Sequence, residues 1–135
     1  MDPAAVLAIG VDLDLVSTQD GGRRGPLSGG CATGSRFTYR PNWGLPGWPD
    51  GEQTAGPVLG FSRSDIAPGE RTRAILVALF VDRIPAWHEV TPDDVLRMYE
   101  GPRVCGVGRV RWVKPATWQT PALEQARLVE WLMVA

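Results

Sequence analysis

Apolar and polar residues alternate with a period of two near the start of the chain. The segment VDLDL, residues 11–15, places an apolar residue at every second position and an aspartate between them. Successive side chains of a strand point to opposite faces of a sheet, so this pattern is typical of a strand with one buried and one hydrated face. We therefore predict a strand over residues 8–17, followed by a turn at QDGG where Gly21 and Gly22 can adopt a positive φ.

Later segments predict further strands. The run RAILVALFVD, residues 73–82, is almost wholly apolar, and its β-branched residues favour a strand over a buried helix. Residues 95–113 are typical of a hairpin, with arms at 95–99 and 104–113 and a turn at 100–103. In the second arm we expect Val110 and Trp112 on one face and the arginines at 109 and 111 on the other. Shorter strands are expected at 36–40 and 58–62, and a turn at Pro68-Gly69.

The period changes in the C-terminal tail, TPALEQARLVEWLMVA. Thr120 is a favourable N-cap and Pro121 suits the first helical position, which predicts a helix from Pro121 to about Met133. A face with Leu128, Trp131 and Leu132 is expected to dock on the strands. The apolar stripe is predicted to contain Leu123, Ala126, Val129 and Leu132.

Composition fits one turn-rich domain. A chain of 135 residues is of single-domain size, and its 16 glycines and 12 prolines favour turns and short strands. Many short strands with one terminal helix, and no regular alternation of strand and helix, fit a small closed or Greek-key barrel.

The charge argues against a dedicated nucleic-acid binder. The net charge is −1 and the pI is about 5.8, whereas such proteins usually carry a basic excess. Of the 14 basic residues, Lys114 is the one lysine. Arginine suits bidentate contacts to carboxylate and phosphate, and the codon usage of a GC-rich genome produces the same bias.

No set of residues indicates catalysis, a cofactor or a metal. Cys31 and Cys105 lack the spacing of zinc ligands, and two free thiols in a reducing cytoplasm are favoured over a disulfide between them. His88 and Cys105 would be the candidate nucleophile pair, but no feature brings them together, and a buried inert thiol is favoured. The N-terminus lacks the basic region of a signal peptide and no stretch is long enough to span a membrane, so a cytoplasmic location is expected.

Five short motifs follow one another along residues 9–113. They are GGR with a following proline at 21–26, YRP at 39–41 with Trp43, TAG at 54–56, PGE at 68–70, and GPR at 101–103 with glycines at 106 and 108. In this order they resemble the third, C-terminal β-barrel domain of bacterial elongation factor Tu. With the helical tail, the resemblance implies a mainly β fold, a small six-stranded Greek-key-type antiparallel β-barrel with a C-terminal α-helix. The barrel would occupy residues 1–118 and the helix, packed on it within one domain, residues 119–135.

The chain also departs from that family. The insertion SGGCATGS separates GGR from YRP, Thr38 and Pro102 stand where the family has glycine, and the tail helix has no counterpart. The sequence contains no counterpart of the GTP-binding domain or the middle barrel, and no GxxxxGK[ST] motif. No nucleotide and no other cofactor are therefore expected.

The resemblance implies a binding role. In the family the GGR turn lies close to the T-stem backbone of aminoacyl-tRNA, a role that Arg23 and Arg24 would inherit, although Arg23 equally suits a carboxylate such as Asp20 or simple solvation. Tyr39 is expected to pack on the barrel, with Arg40 in a salt bridge. Trp43 and Trp48 either form an exposed aromatic patch or fold back onto the barrel end. The candidate binding surface comprises Arg23, Arg24, Arg40, Trp43, Trp48, Arg103, Arg109 and Arg111.

Two functions are consistent with this surface. The favoured one is a non-enzymatic, stand-alone module that recognises a protein partner through its long loops, in a decoy or immunity-type role against a toxin that targets the translation factor. The alternative is an accessory protein of translation that binds RNA, tRNA or the ribosome. Arginine contacts to phosphate would make that binding strongly salt-dependent.

Overall fold

The computed structural model describes residues 4–30, 37, 39–118 and 120–133, which form nine strands, two 3-10 helices and one α-helix. The 3-10 helices are Thr18–Asp20 and Pro85–Glu89, and the α-helix, α1, is Ala122–Met133. The strands are β1 Ala4–Leu15, β2 Leu27–Ser28, β3 Asn42–Gly44, β4 Thr54–Ala55, β5 Val58–Phe61, β6 Asp65–Ile66, β7 Arg71–Ala78, β8 Val95–Glu100 and β9 Arg103–Trp118.

Seven strands form one antiparallel sheet, and two form a small second one. The order in the large sheet is β4-β3-β8-β9-β1-β7-β5, and β2 pairs with β6. The long strands β1 and β9 pair at the centre of this sheet, with β7 and β5 beyond β1 and with β8, β3 and β4 beyond β9. The predicted mainly β class with a C-terminal helix is confirmed.

The expected six-stranded barrel is corrected to an open sheet of seven strands. The segment that leads into β3 makes one bridge to the edge strand β5, where the Val58 N–H donates to the Tyr39 carbonyl over 2.7 Å. Pro41 and Pro57 flank this bridge and have no backbone N–H with which to extend it. Of the predicted strand at 36–40, positions 36 and 38 lie outside the described residues, and the other three positions contain this bridge at Tyr39.

Two apolar cores lie on opposite faces of the sheet. Alternate residues of β1, among them Val11 and Leu13, belong to the larger core together with Trp43. Val6 and Ala8 of the same strand belong to the smaller core, which α1 covers. The predicted period-two pattern of β1 is confirmed, and α1 covers its second face only in the N-terminal half, leaving Asp12 and Asp14 to solvent.

The buried side of α1 differs from the predicted stripe. Gln125, Leu128 and Leu132 are buried, whereas Leu123 is 68% exposed. Trp131 fixes the rotation of the helix, because its ring packs edge-on against Trp112 with the centroids 5.3 Å apart. Docking through Leu128, Trp131 and Leu132 was expected and is confirmed.

A bulge in β9 also changes a predicted face. Trp112 lies opposite Gly10 and Val110 lies opposite Val11, so Arg111 is an extra residue without an opposite partner on β1. A bulge places two residues of one strand against one of the other, which reverses the alternation beyond it. Val110 therefore belongs to the larger core and Trp112 to the smaller one, and the prediction that they share a face is wrong.

Candidate functional site: an arginine-rich face of the sheet

Arg23, the arginine of the GGR turn, is partly buried against the β8–β9 hairpin. The Arg23 guanidinium forms an ion pair with the Glu100 carboxylate and also donates to the Gly25 carbonyl over 3.3 Å. Its side chain is only 23% exposed. Arg23 therefore pairs with a carboxylate, as one alternative anticipated, but the partner is Glu100 of the β8–β9 hairpin and not Asp20.

Among the other candidate arginines, Arg103 is hydrogen-bonded within the protein, whereas Arg24 and Arg40 extend into solvent. Arg103 donates to the Gly22 carbonyl over 3.2 Å and so ties the hairpin to the GGR turn. Arg24 is exposed and forms no hydrogen bond or ion pair within the described residues. Arg40 is also exposed and lies over the Phe37 ring, 5.7 Å from its centroid, and the expected salt bridge is not found among the described residues.

The two candidate tryptophans fold back onto the sheet. Trp43 is fully buried, and its indole N–H donates to the Gly56 carbonyl over 2.7 Å. Trp48 is partly buried against the larger core. The surface role considered for Trp43 is thereby corrected, because a fully buried indole offers no area to a partner.

Arg109 and Arg111 lie on an open face that also carries charged residues of two other strands. Arg71 donates to the Asp14 carboxylate over 2.7 Å, and Arg111 forms an ion pair with Asp12 at 3.3 Å. Arg109 lies opposite Asp12 in the sheet, is exposed, and forms no ion pair within the described residues. These five side chains line a shallow groove of about 330 Å³. We name this set, Asp12, Asp14, Arg71, Arg109 and Arg111, the arginine face.

Two exposed valines extend the arginine face toward β8. Val107 lies opposite Asp14 and Val95 lies opposite Arg109, and directly opposed residues share one side of a sheet. Their side chains are 36% and 45% exposed, respectively. The surface thus combines three guanidinium groups, two carboxylates and a small apolar area.

Four members of this face were identifiable from the sequence, and Arg71 was not. Alternation predicts that the aspartates of β1, and Arg109 and Arg111 of β9, face outward, but it cannot say which strands are neighbours. Arg71 reaches Asp14 only because β7 pairs with β1 in the observed register. The one feature of the sequence that could have pointed to Arg71 is its position as a charged residue just before the apolar run of β7.

A second polar cluster surrounds Cys105 on the inner side of the β8–β9 hairpin. The Tyr39 hydroxyl donates to the Glu100 carboxylate and lies 3.9 Å from the Cys105 sulfur. Burial, and then the hydrogen bond to Glu100, raises the pKa of Tyr39 above its usual range. Burial, followed by the negative charge of Glu100, raises the pKa of the Cys105 thiol to about 11. His88 is exposed, whereas Cys105 is fully buried.

Cys105 is therefore expected to resist thiol reagents in the folded protein. In a Cys31→Ser background at pH 8, labelling should be at least about 100-fold slower than in urea, since a pKa raised by roughly two units alone lowers the thiolate fraction that much. Because the folded pKa exceeds the unfolded pKa of 9.0, the thiol contributes stability that is fully present below pH 9.0 and is lost as the pH rises toward about 11. Equal labelling rates with and without urea would contradict this prediction.

The described residues contain few other features that would indicate a chemical or membrane function. They contain no group of three or more His, Cys, Asp or Glu side chains that could hold a metal ion. No helix among them is long and apolar enough to cross a membrane. Comparison with protein-family models and with curated proteins finds no match to this chain.

Proposed function

We propose that this chain is a non-catalytic binding module that recognises an acidic patch of a protein partner through the arginine face. The observation that carries the proposal is the position of Arg109, an exposed guanidinium that has no ion-pair partner among the described residues and is flanked by two ion pairs and by Val95. Arginine is enriched at protein interfaces, and partner carboxylates can accept its two parallel N–H bonds.

The composition of this face favours a protein partner over RNA. Asp12 and Asp14 stand between the arginines and would repel a phosphate backbone, whereas the exposed Val95 and Val107 offer apolar area to a protein. Arg23 and Arg103, which an RNA-binding role would use, are engaged by Glu100 and the Gly22 carbonyl. RNA binding is thus the weaker candidate.

The lack of catalysis is part of the same proposal. The Cys105 thiol is buried and has a raised pKa, so it is neither accessible nor ionised at neutral pH. A reactive cysteine needs the thiolate, an electropositive setting and partial exposure, and Cys105 is instead next to the carboxylate of Glu100.

From the resemblance to the third domain of elongation factor Tu, we propose that the partner is a protein that also binds that translation factor. A protein that binds the translation factor would also bind this chain, as a decoy or immunity-type role requires. A partner captured by this chain should then also be captured by elongation factor Tu, and the two should compete for it. Because fold analogy alone does not transfer function, a competition assay between this chain and elongation factor Tu for the captured partner tests this role.

The arginine face is tested by charge reversal at Arg109. In capture from native lysate, Arg109→Glu is expected to lower the recovery of a stoichiometric protein partner about 30-fold, as for a hot-spot residue. Arg127→Glu, on the exposed side of α1, makes the same charge change elsewhere and should leave recovery unchanged. The capture is quantified by mass spectrometry with and without nuclease. Recovery that Arg109→Glu does not change, or that nuclease abolishes, would contradict the proposal.

A further inference from the structure

A second concavity lies where the connection after β3 meets the 3-10 helix Pro85–Glu89. It is a cleft of about 170 Å³ with an aromatic wall from Trp48 and aliphatic walls that include Leu45 and Val90. Glu89 and Asp94 add one carboxylate each. A cavity of about 150 Å³ accommodates a benzene-sized group, so this cleft has room for one large side chain.

The walls of the cleft are fixed before any ligand arrives. Leu45 and Val90 belong to the larger core and are 2% and 5% exposed. The backbone N–H of Trp48 donates to the Leu45 carbonyl over 3.0 Å, and the Arg97 guanidinium donates to the Trp48 carbonyl over 2.7 Å. A ligand would therefore bind without first ordering the loop, which lowers the entropic cost of binding.

The charge of the cleft is not compensated within the described residues. Glu89 is exposed and forms no ion pair there, and Asp94 accepts a hydrogen bond of 2.9 Å from the Thr91 N–H but pairs with no cation. The nearby Arg97 guanidinium is already held by the Asp50 carboxylate and the Trp48 carbonyl. Two negative charges beside an indole suit a cation and repel an anion.

We infer that this cleft binds the side chain of an arginine from a protein partner. The aliphatic stem would pack against Leu45 and Val90, and the guanidinium would lie against Trp48 and meet the two carboxylates. Arginine fits better than lysine because its planar group stacks on aromatic rings and forms two parallel hydrogen bonds to a carboxylate. None of these residues belongs to the arginine face, so the inference does not rest on the function proposed above.

The test uses the whole chain and a blocked arginine, N-acetylarginine amide, as the probe. In ¹⁵N NMR spectra, the indole N–H resonance of Trp48, assigned by its loss in Trp48→Phe, should shift with saturation as the probe is added. Glu89→Gln should weaken binding about two- to fivefold, the effect of removing one exposed ion pair. Glu130→Gln, an exposed glutamate of α1, removes the same charge away from the cleft and should leave the affinity unchanged.

One neutral and one cationic analogue of the probe test whether the cleft requires a positive charge and whether it requires a guanidinium. The blocked citrulline, which is uncharged and nearly the same shape, should cause no saturable shift, and the blocked lysine should bind more weakly than arginine. Citrulline binding equal to that of arginine would overturn the role of charge, and equal binding of lysine would overturn the assignment to guanidinium. The absence of any saturable shift with arginine at tens of millimolar, or the same affinity in Glu89→Gln as in the unsubstituted chain, would overturn the site itself.

Discussion

Replacing Trp43 with alanine is expected to lower the free energy of unfolding by about 3–5 kcal/mol. Trp43 is fully buried in the larger core, where β3 pairs with both β4 and β8. The alanine would leave a cavity that rigid strands cannot close, and the Gly56 carbonyl would lose the indole N–H that donates to it over 2.7 Å. Urea unfolding followed by far-UV circular dichroism measures the change as a lower midpoint with an unchanged slope.

Trp43→Phe separates the loss of the indole hydrogen bond from the loss of buried apolar volume. Phenylalanine retains most of the buried area but cannot donate to the Gly56 carbonyl, so we expect a smaller loss of about 1–3 kcal/mol. Trp48→Phe, at the partly buried tryptophan of the connection that follows β3, has no indole hydrogen bond to lose among the described residues and should cost less. A Trp43→Ala protein as stable as the unsubstituted one would show that this indole is not a core residue in solution.

Strands could be predicted from the sequence where each face of the strand stays either buried or exposed along its length. The alternation in β1 predicted its inward side chains, and the turn between β8 and β9 was placed to within one residue, although β9 continues to Trp118, beyond the predicted end at Val113. The prediction did not hold beyond residue 110, because the bulge at Arg111 reverses the alternation and no local signal marks it. Trp43 was equally uncertain, since a tryptophan in a Gly- and Pro-rich loop suits both a core and a binding patch.

The candidate site was harder to predict because its composition depends on contacts between distant segments. Arg23 was a reasonable surface candidate from its loop, but its partner, Glu100, lies 77 residues away. Arg71 was not selected, yet pairing of β7 with β1 places it beside Asp14. Sequence patterns indicate which side chains point outward, whereas register decides which of them meet.

The stripe predicted for α1 was displaced for a similar reason. Periodicity in a short helix allows more than one apolar side, and the tertiary partner selects among them. Arg73 donates to the Trp131 carbonyl over 3.1 Å and lies over its ring at 5.0 Å, which holds the helix C-terminus against β7. This contact and the packing of Trp112 on Trp131 favour the face that contains Leu128 and leave Leu123 in solvent.

Replacing Gly22 with alanine is expected to cost about 3 kcal/mol of stability, because the second glycine of the GGR turn has no room for a side chain. A Cβ atom there would lie 2.0 Å from the Val16 carbonyl oxygen and 2.9 Å from that of Ser17. Both are backbone atoms, so the turn itself must move. The Gly22 N–H donates to the Ser17 carbonyl over 2.9 Å and the Gly22 carbonyl accepts from Arg103, and that movement would weaken both bonds.

Gly25→Ala is the matched control, since it makes the same change three residues further on. A Cβ atom at Gly25 would meet nothing within 4 Å, and its φ is not positive. By restricting the unfolded chain, this alanine should leave stability unchanged or raise it by up to about 1 kcal/mol. Urea unfolding of both variants gives the comparison. Equal stabilities of the two variants would contradict the close contact between Gly22 and the Val16 carbonyl. They would also contradict the hydrogen bond by which Arg103 connects the GGR turn to the β8–β9 hairpin.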